Sequence, residues 1–192
     1  MRTLIVVDGL DGCGKDTHAR RIADLLAARG TRVVVVSHPS TRRFGRLSKR
    51  ALQASGPCAR LVATIFYTAD VLVSVMRLSR ERDGTVIFVR YLLGTAYLPP
   101  TLAPLGYALF RRLLPFPDLP LFIDIEPEVA LRRIEARDST REMFETKEQL
   151  ERVREVAVDL TSSDGWVRVD NSEDGERPFR EVERVLASRG LL

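Results

Sequence analysis

The sequence predicts an α/β fold built on a parallel sheet, and three observations carry that prediction. Short apolar runs rich in Val, Ile and Leu recur at 4–7, 33–36, 86–89, 119–125 and 166–169, as strands covered on both faces do. Segments with helical apolar spacing separate them, which is the alternation of a layered α/β protein. A glycine-rich turn, Gly9-Leu10-Asp11-Gly12-Cys13-Gly14-Lys15, follows the first run directly and opens the first helical segment. A chain of 192 residues with 45% hydrophobic content has enough apolar mass for one core and little for two, so a single domain over 1–192 is expected.

Taken in order, the run at 4–7 is short and quickly followed by charge, unlike a signal peptide with its longer apolar stretch. No run reaches the roughly 18 apolar residues of a membrane span, and a cytoplasmic protein without membrane attachment is expected. The first helix is predicted over 15–29, with Gly30 as its stop. The second strand leads into a loop carrying Arg42, Arg43 and Arg46. Pro57 opens a long apolar helix that ends near Asp83-Gly84. The third strand follows, and then a proline-rich region, 99–120, is the least regular part, its PFPDLP entering the fourth strand. Helices are predicted over 127–137, 146–160 and 178–188, the last two amphipathic. Cys13 and Cys58 are too few for a disulfide framework and lack metal-ligand spacing. The net charge of +4 comes from 30 basic and 26 acidic residues mixed along the chain, which suits phosphorylated small molecules as readily as nucleic acid.

The chemistry concentrates in the glycine-rich turn. Its pattern, G-x-x-x-x-G-K between a strand and a helix, is that of a phosphate loop. Glycines let the backbone curl so that successive N–H groups and the helix N-terminus face an anion, while the lysine meets the outer phosphates. Gly9, Asp11, Gly12, Cys13, Gly14, Lys15, Asp16 and Thr17 are therefore the candidate nucleotide-binding residues. The next position usually carries a hydroxyl but here holds Asp16. Either Asp16 is an acid stabilised at a helix N-terminus, or its carboxylate binds Mg²⁺ directly, as hard cations prefer. Thr17 carries a hydroxyl but points elsewhere around the helix. Cys13 fits the loop by being small.

Several segments together resemble the thymidylate kinase branch of the nucleoside monophosphate kinases. GLDGCGKDT is similar to that family's loop, and PDLPLFIDIEPEVALRRIEARDSTREMFE to its fourth strand, following helix and arginine-bearing lid. FVRYLLGTAY resembles the region after the third strand with its Asp-Arg-aromatic triplet. IFYTADV resembles the buried helix that presents an aromatic to the acceptor base, and SHPSTRRFGR the segment after the second strand. The resemblance implies a P-loop kinase fold of three layers, a five-stranded parallel sheet with helices on both faces, and a lid at about 136–146. It also implies ATP-dependent phosphorylation of a deoxynucleoside monophosphate, dTMP to dTDP, with ATP and Mg²⁺ as cofactors. The implied partners are small-molecule nucleotides, not nucleic acid or membrane, and a second copy in a homodimer, with which the apolar helix of 61–78 is compatible although its stripe equally fits core.

By that resemblance Lys15, Arg90, Arg137 and Arg141 are the catalytic candidates, the last two on the lid. Asp11, Arg46, Tyr67, Arg90 and Tyr97 are the acceptor-binding candidates. The departures fall at functional positions: Val89 stands in place of the triplet's Asp, Val71 in place of an acceptor-phosphate arginine, and Ser37-His38 in place of an Arg-Glu pair. An acid has left one strand end while another follows the lysine, so Asp16 is expected to have taken over the metal. His18 is expected to be exposed and His38 to be polar filler. Two alternatives remain open from the sequence: a kinase for another nucleotide or small phosphorylated acceptor, and a nucleotide-binding protein with little transfer activity.

Overall fold

The computed structural model describes residues 2–52, 57–78, 83–136, 146–163 and 165–192. Five parallel strands form one sheet in the order β2-β3-β1-β4-β5. They are β1 (Arg2–Gly9), β2 (Val33–Ser37), β3 (Gly84–Val89), β4 (Leu119–Asp124) and β5 (Val167–Asp170). The central strands β1, β3 and β4 are buried almost throughout, as their unbroken apolar runs require. Edge strand β2 is only partly covered. Ile5, Val6 and Val7 are fully buried, each contributing about 1.5–3 kcal/mol.

Seven helices are described: α1 (Lys15–Ala27), α2 (Arg43–Leu52), α3 (Pro57–Leu78), α4 (Ala103–Leu113), α5 (Pro127–Glu135), α6 (Lys147–Thr161) and α7 (Arg177–Ser188). α1 buries His18, Ala19, Ile22 and Leu26, a stripe at helical spacing. Thr146 caps α6 by accepting from the Gln149 amide at 3.3 Å, satisfying a donor that the first turn leaves orphaned. Among the described residues no helix is long and apolar enough to cross a membrane.

The structure corrects three expectations. The arginine-rich stretch after β2 is not a loop but starts α2, whose inward face is made by Gly45 and Ser48, so no apolar periodicity marks it. The proline-rich region contains α4, which buries Ala103, Tyr107 and Phe110 and carries Pro104 in its first turn, where the missing N–H costs nothing. His18 is buried, not exposed, and its ring lies 5.8 Å from that of Phe179 on α7.

The sheet order decides where the chemistry gathers. Val7 pairs with Val89, Ser37 with Val89, and Gly9 with Ile123. The carboxyl ends of β2, β3, β1 and β4 therefore converge beside the glycine-rich turn, the position where α/β sheets bind ligands. Asp16, the second residue of α1, meets Ser37, the strand partner of Val89.

Candidate active site

At Gly9 and Gly12 the chain has no room for a side chain. A Cβ on Gly12 would stand 2.6 Å from the Ala130 carbonyl oxygen on α5, and its φ of 79° is left-handed, so only glycine serves there. Gly14 caps α1 at φ 84°, turning the first helical amides toward the loop's concave side. Lys15, 3% exposed, donates from Nζ to the Leu10 carbonyl at 2.7 Å and lies 3.5 Å from Asp11 Oδ1. Cys13 is buried and burial pushes its thiol up, which agrees with a small filler rather than a nucleophile. Its carbonyl accepts from Asn171 Nδ2 at 2.7 Å, tying the loop to the end of β5.

On one side of the loop the side chains are buried or half-buried and paired. Asp11 is 3% exposed. It accepts from the Arg90 guanidinium and, at 3.0 Å, from the Tyr97 hydroxyl. Burial raises its carboxyl, but the Arg90 and Lys15 cations outweigh that and hold it well below the usual carboxylate range. Tyr97 and Tyr67 have their hydroxyls pushed up by burial and by nearby carboxylates, so both remain neutral donors. Tyr67 donates to the Tyr91 carbonyl at 3.1 Å, and its ring packs so tightly on Gly94 that a Cβ there would come within 2.6 Å of it. Arg90 sits at φ 59°, the one left-handed non-glycine among the described residues, a conformation costing about 1–2 kcal/mol. Beneath it Asp8, 1% exposed, accepts from the Tyr91 and Leu93 amides at 3.0 Å each. Burial raises the Asp8 carboxyl against the pull of those amides and of Lys15.

Behind Arg90 lies a polar cluster that links α3 to the segment after β2. His38 Nδ1 meets the Arg90 carbonyl at 3.1 Å and Nε2 meets Ser74 Oγ at 2.7 Å. Asp70 accepts from Ser40 N at 2.6 Å and from Ser40 Oγ at 2.7 Å, and lies 3.5 Å from the Arg42 guanidinium, which also donates to Ser74. Burial outweighs the Asp70 charge and lowers the His38 pKa to about 4.

The flank around Asp16 is open. Asp16, Thr17 and Ser37 are exposed, and Ser37 Oγ donates to Asp16 Oδ1 at 3.1 Å. Farther along α1, a cleft of about 270 Å³ is lined by Gly14, Thr17, His18, Arg133, Asn171 and Phe179, among others. Arg133 donates there to the Asn171 carbonyl at 3.0 Å and to Asp174 at 2.7 Å.

The thymidylate kinase family model matches residues 7–183. The chain belongs to the thymidylate kinase family. It is 32% identical over 194 residues to the thymidylate kinase of Xanthomonas euvesicatoria, covering 96% of this chain and 83% of that one. It is 31% identical to a probable thymidylate kinase of Pyrobaculum calidifontis, covering 96% and 97%. The thymidylate kinase structure from Candida albicans superposes with a TM-score of 0.79 over 98% of this chain and 92% of that one at 19% identity, a likeness of fold.

Within this kinase-family fold most residues singled out from the sequence meet in one place. Asp11, Lys15, Arg90 and Tyr97 form one cluster of contacts, and Tyr67 joins it through the backbone of Tyr91. Asp16 and Thr17 lie on the open side, and Gly9, Gly12, Cys13 and Gly14 shape the loop. Arg46 stands exposed on α2, whereas Arg42, weighed beside it, is the arginine of that run that turns inward. Arg137 and Arg141 lie outside the described residues. His38 is no mere filler, and Asp8, Asp70 and Ser74 complete a support that sequence reasoning missed. Polar residues inside otherwise apolar segments, Asp8 in LIVVDG and Asp70 and Ser74 in the long helix, were the available signal. A further polar centre holds α6 to β4: buried Asp124 accepts from Arg154 at 2.9 Å, and Arg154 also reaches Glu126 at 2.8 Å.

Proposed function

We propose that this protein transfers the γ-phosphoryl group of ATP to the phosphate of dTMP, giving dTDP and ADP. The observation that carries this reading is one loop with two unlike borders: a cradle of amides and one ammonium, bordered by the Asp11–Arg90–Tyr97 cluster at the end of β3 and, along α1, by the open cleft lined by Gly14, Thr17, Arg133 and Asn171. A polyanion in the cradle has its two ends directed to different sites, which is what transfer between two nucleotides needs.

Phosphoryl transfer asks the protein for positioning and for cations on spreading negative charge. Lys15 and the loop amides hold the donor phosphates. Arg90, aligned by Asp11, faces the acceptor; Asp11 and Tyr97 offer a carboxylate and a hydroxyl to the acceptor sugar, and Tyr67 an aromatic wall for its base. Arg46 is a further cation for the acceptor phosphate. Arg137 and Arg141 on the lid bridge donor and acceptor oxygens, since a planar guanidinium binds two at once.

The metal site is supported by its donor set. Asp16 and Ser37 offer a carboxylate and a hydroxyl oxygen 3.1 Å apart at the open side of the cradle, the oxygen ligands that Mg²⁺ takes. These two residues would hold it, and the bound ion would neutralise charge on the donor phosphates. A homodimer through α3 is supported by Val62, Ile65 and Met76, which are 41%, 56% and 60% exposed. A cytoplasmic location completes the reading.

ADP release measured with a panel of nucleoside monophosphates tests the activity. dTMP-dependent release is expected; release with another acceptor alone, or none despite ATP binding, replaces it. Asp16→Ala tests the metal assignment through Mg²⁺ titration of the ADP-bound protein by calorimetry, with about tenfold weaker binding expected. Unchanged Mg²⁺ affinity removes Asp16 from the ligand set.

A further inference from the structure

Arg90 stands in a conformation that L-residues avoid, so the surroundings must fix the two peptide groups on either side of it. One residue grips both. The main-chain N–H of His38 donates to the Val89 carbonyl at 2.9 Å, and its ring Nδ1 lies 3.1 Å from the Arg90 carbonyl. A carbonyl only accepts, so Nδ1 carries the proton and Nε2 presents a lone pair. Ser74 Oγ lies 2.7 Å from Nε2 and 2.9 Å from the Asp70 carbonyl, so its one hydroxyl hydrogen is shared between that lone pair and that carbonyl. The serine oxygen in turn accepts from Arg42, and Asp70 faces that guanidinium at 3.5 Å. His38 and Ser74 are 2% and 0% exposed, so water does not substitute for these partners.

We propose that His38 is a positioning residue for the transfer reaction: it clamps the carbonyls of Val89 and Arg90, holds Arg90 in its left-handed turn, and so aims the guanidinium at Asp11, with Ser74 buttressing the ring at Nε2. The inference rests on the kinase reading above. It differs from a core histidine that only packs, because its whole effect on catalysis passes through Arg90.

A double-mutant cycle tests this. His38→Asn keeps an amide donor at the reach of Nδ1, whereas His38→Gln moves the donor to the reach of Nε2 and releases the Arg90 carbonyl. Expected single-turnover losses for dTMP are about tenfold for His38→Gln and under about threefold for His38→Asn. In an Arg90→Ala background the same His38→Gln change costs less than about twofold. Equal losses in both backgrounds, or equal losses for Asn and Gln, overturn the proposal. Should His38→Gln fail to fold, Ser74→Ala replaces it, with about a threefold loss expected in the parent and none without Arg90. An NMR readout stands apart from activity: the cross-peak of the Arg90 Nη2–H that donates to Asp11, identified by its disappearance in Arg90→Ala, is kept in His38→Asn and lost to solvent exchange in His38→Gln. If the parent shows no dTMP-dependent ADP release, the kinase reading fails while this cross-peak still decides the clamp, and a peak unchanged in His38→Gln overturns it.

Discussion

On the buried side of the loop, Asp11, Arg90, Tyr97 and Tyr67 are held by partners that are themselves held, from Asp8 below and from His38, Ser74 and Asp70 behind. At the open surface of the same loop Asp16, Thr17 and Ser37 face solvent and one hydrogen bond of 3.1 Å links two of them. The difference teaches where pre-organisation is built in. Directional recognition of a sugar, base and phosphate needs side chains fixed before binding, and buried hydrogen-bond networks fix them. A hydrated divalent ion on a flexible triphosphate supplies its own geometry, and exposed oxygens suffice to receive it.

The largest effect should come from the element both flanks share. Lys15→Ala is expected to lower single-turnover transfer by about 10³-fold, and a loss under tenfold would break the division into two flanks around one cradle. Next, the flanks should part in stability. Asp11→Ala leaves Lys15 and Arg90 without their buried counter-charge and is expected to cost about 3 kcal/mol in urea unfolding. Asp16→Ala, at an exposed site, should change it by less than about 0.5 kcal/mol. Equal costs would show that the Asp11 cluster is no more tightly built than the open side. Gly94→Ala drives a methyl into the Tyr67 ring, so KM for dTMP is expected to rise about tenfold with KM for ATP unchanged; a matched rise in both would place Tyr67 outside the acceptor site.

The smallest effect is a pH dependence. His38 titrates at about 4 when folded against 6.5 unperturbed, so the folded state favours the neutral ring. Its contribution is fully present above 6.5 and is lost as pH falls toward 4. Asp70 opposes that shift, Arg42 reinforces it, and the Arg90 carbonyl and Ser74 hydroxyl complete the surroundings. His18, lowered by burial as well, adds in the same direction. His38→Asn should therefore flatten, without abolishing, the fall in unfolding free energy between pH 6.5 and 4, and an unaltered slope would show that His38 is not the group being titrated.

Much of this fold was legible because its signals are local. The strands announce themselves as unbroken apolar runs, α1 by the loop that opens it, and α5 to α7 by stripes ending near proline or glycine. α2 was not legible because its packing face is Gly45 and Ser48, which carry no hydrophobic period. α4 was hidden by the prolines around it, although Ala103, Tyr107, Phe110 and Leu114 keep helical spacing and are all buried. In the site, the loop and the residues near Arg90 and Tyr97 were found from motif and resemblance. The supports Asp8, Asp70 and Ser74 were not, since a polar residue in an apolar segment signals a buried partner without naming it.

The sequence by itself determined a phosphate cradle on an α/β sheet, because a glycine-rich turn between a strand and a helix dictates its own backbone and its own anion. Tertiary structure alone decided which side chains flank that cradle. Strand order brings Ser37 to Asp16, Arg90 to Asp11, and His38 under Arg90 across 21, 79 and 52 residues of chain, and pairings at such separations depend on how a sheet is wound rather than on any local preference of its residues.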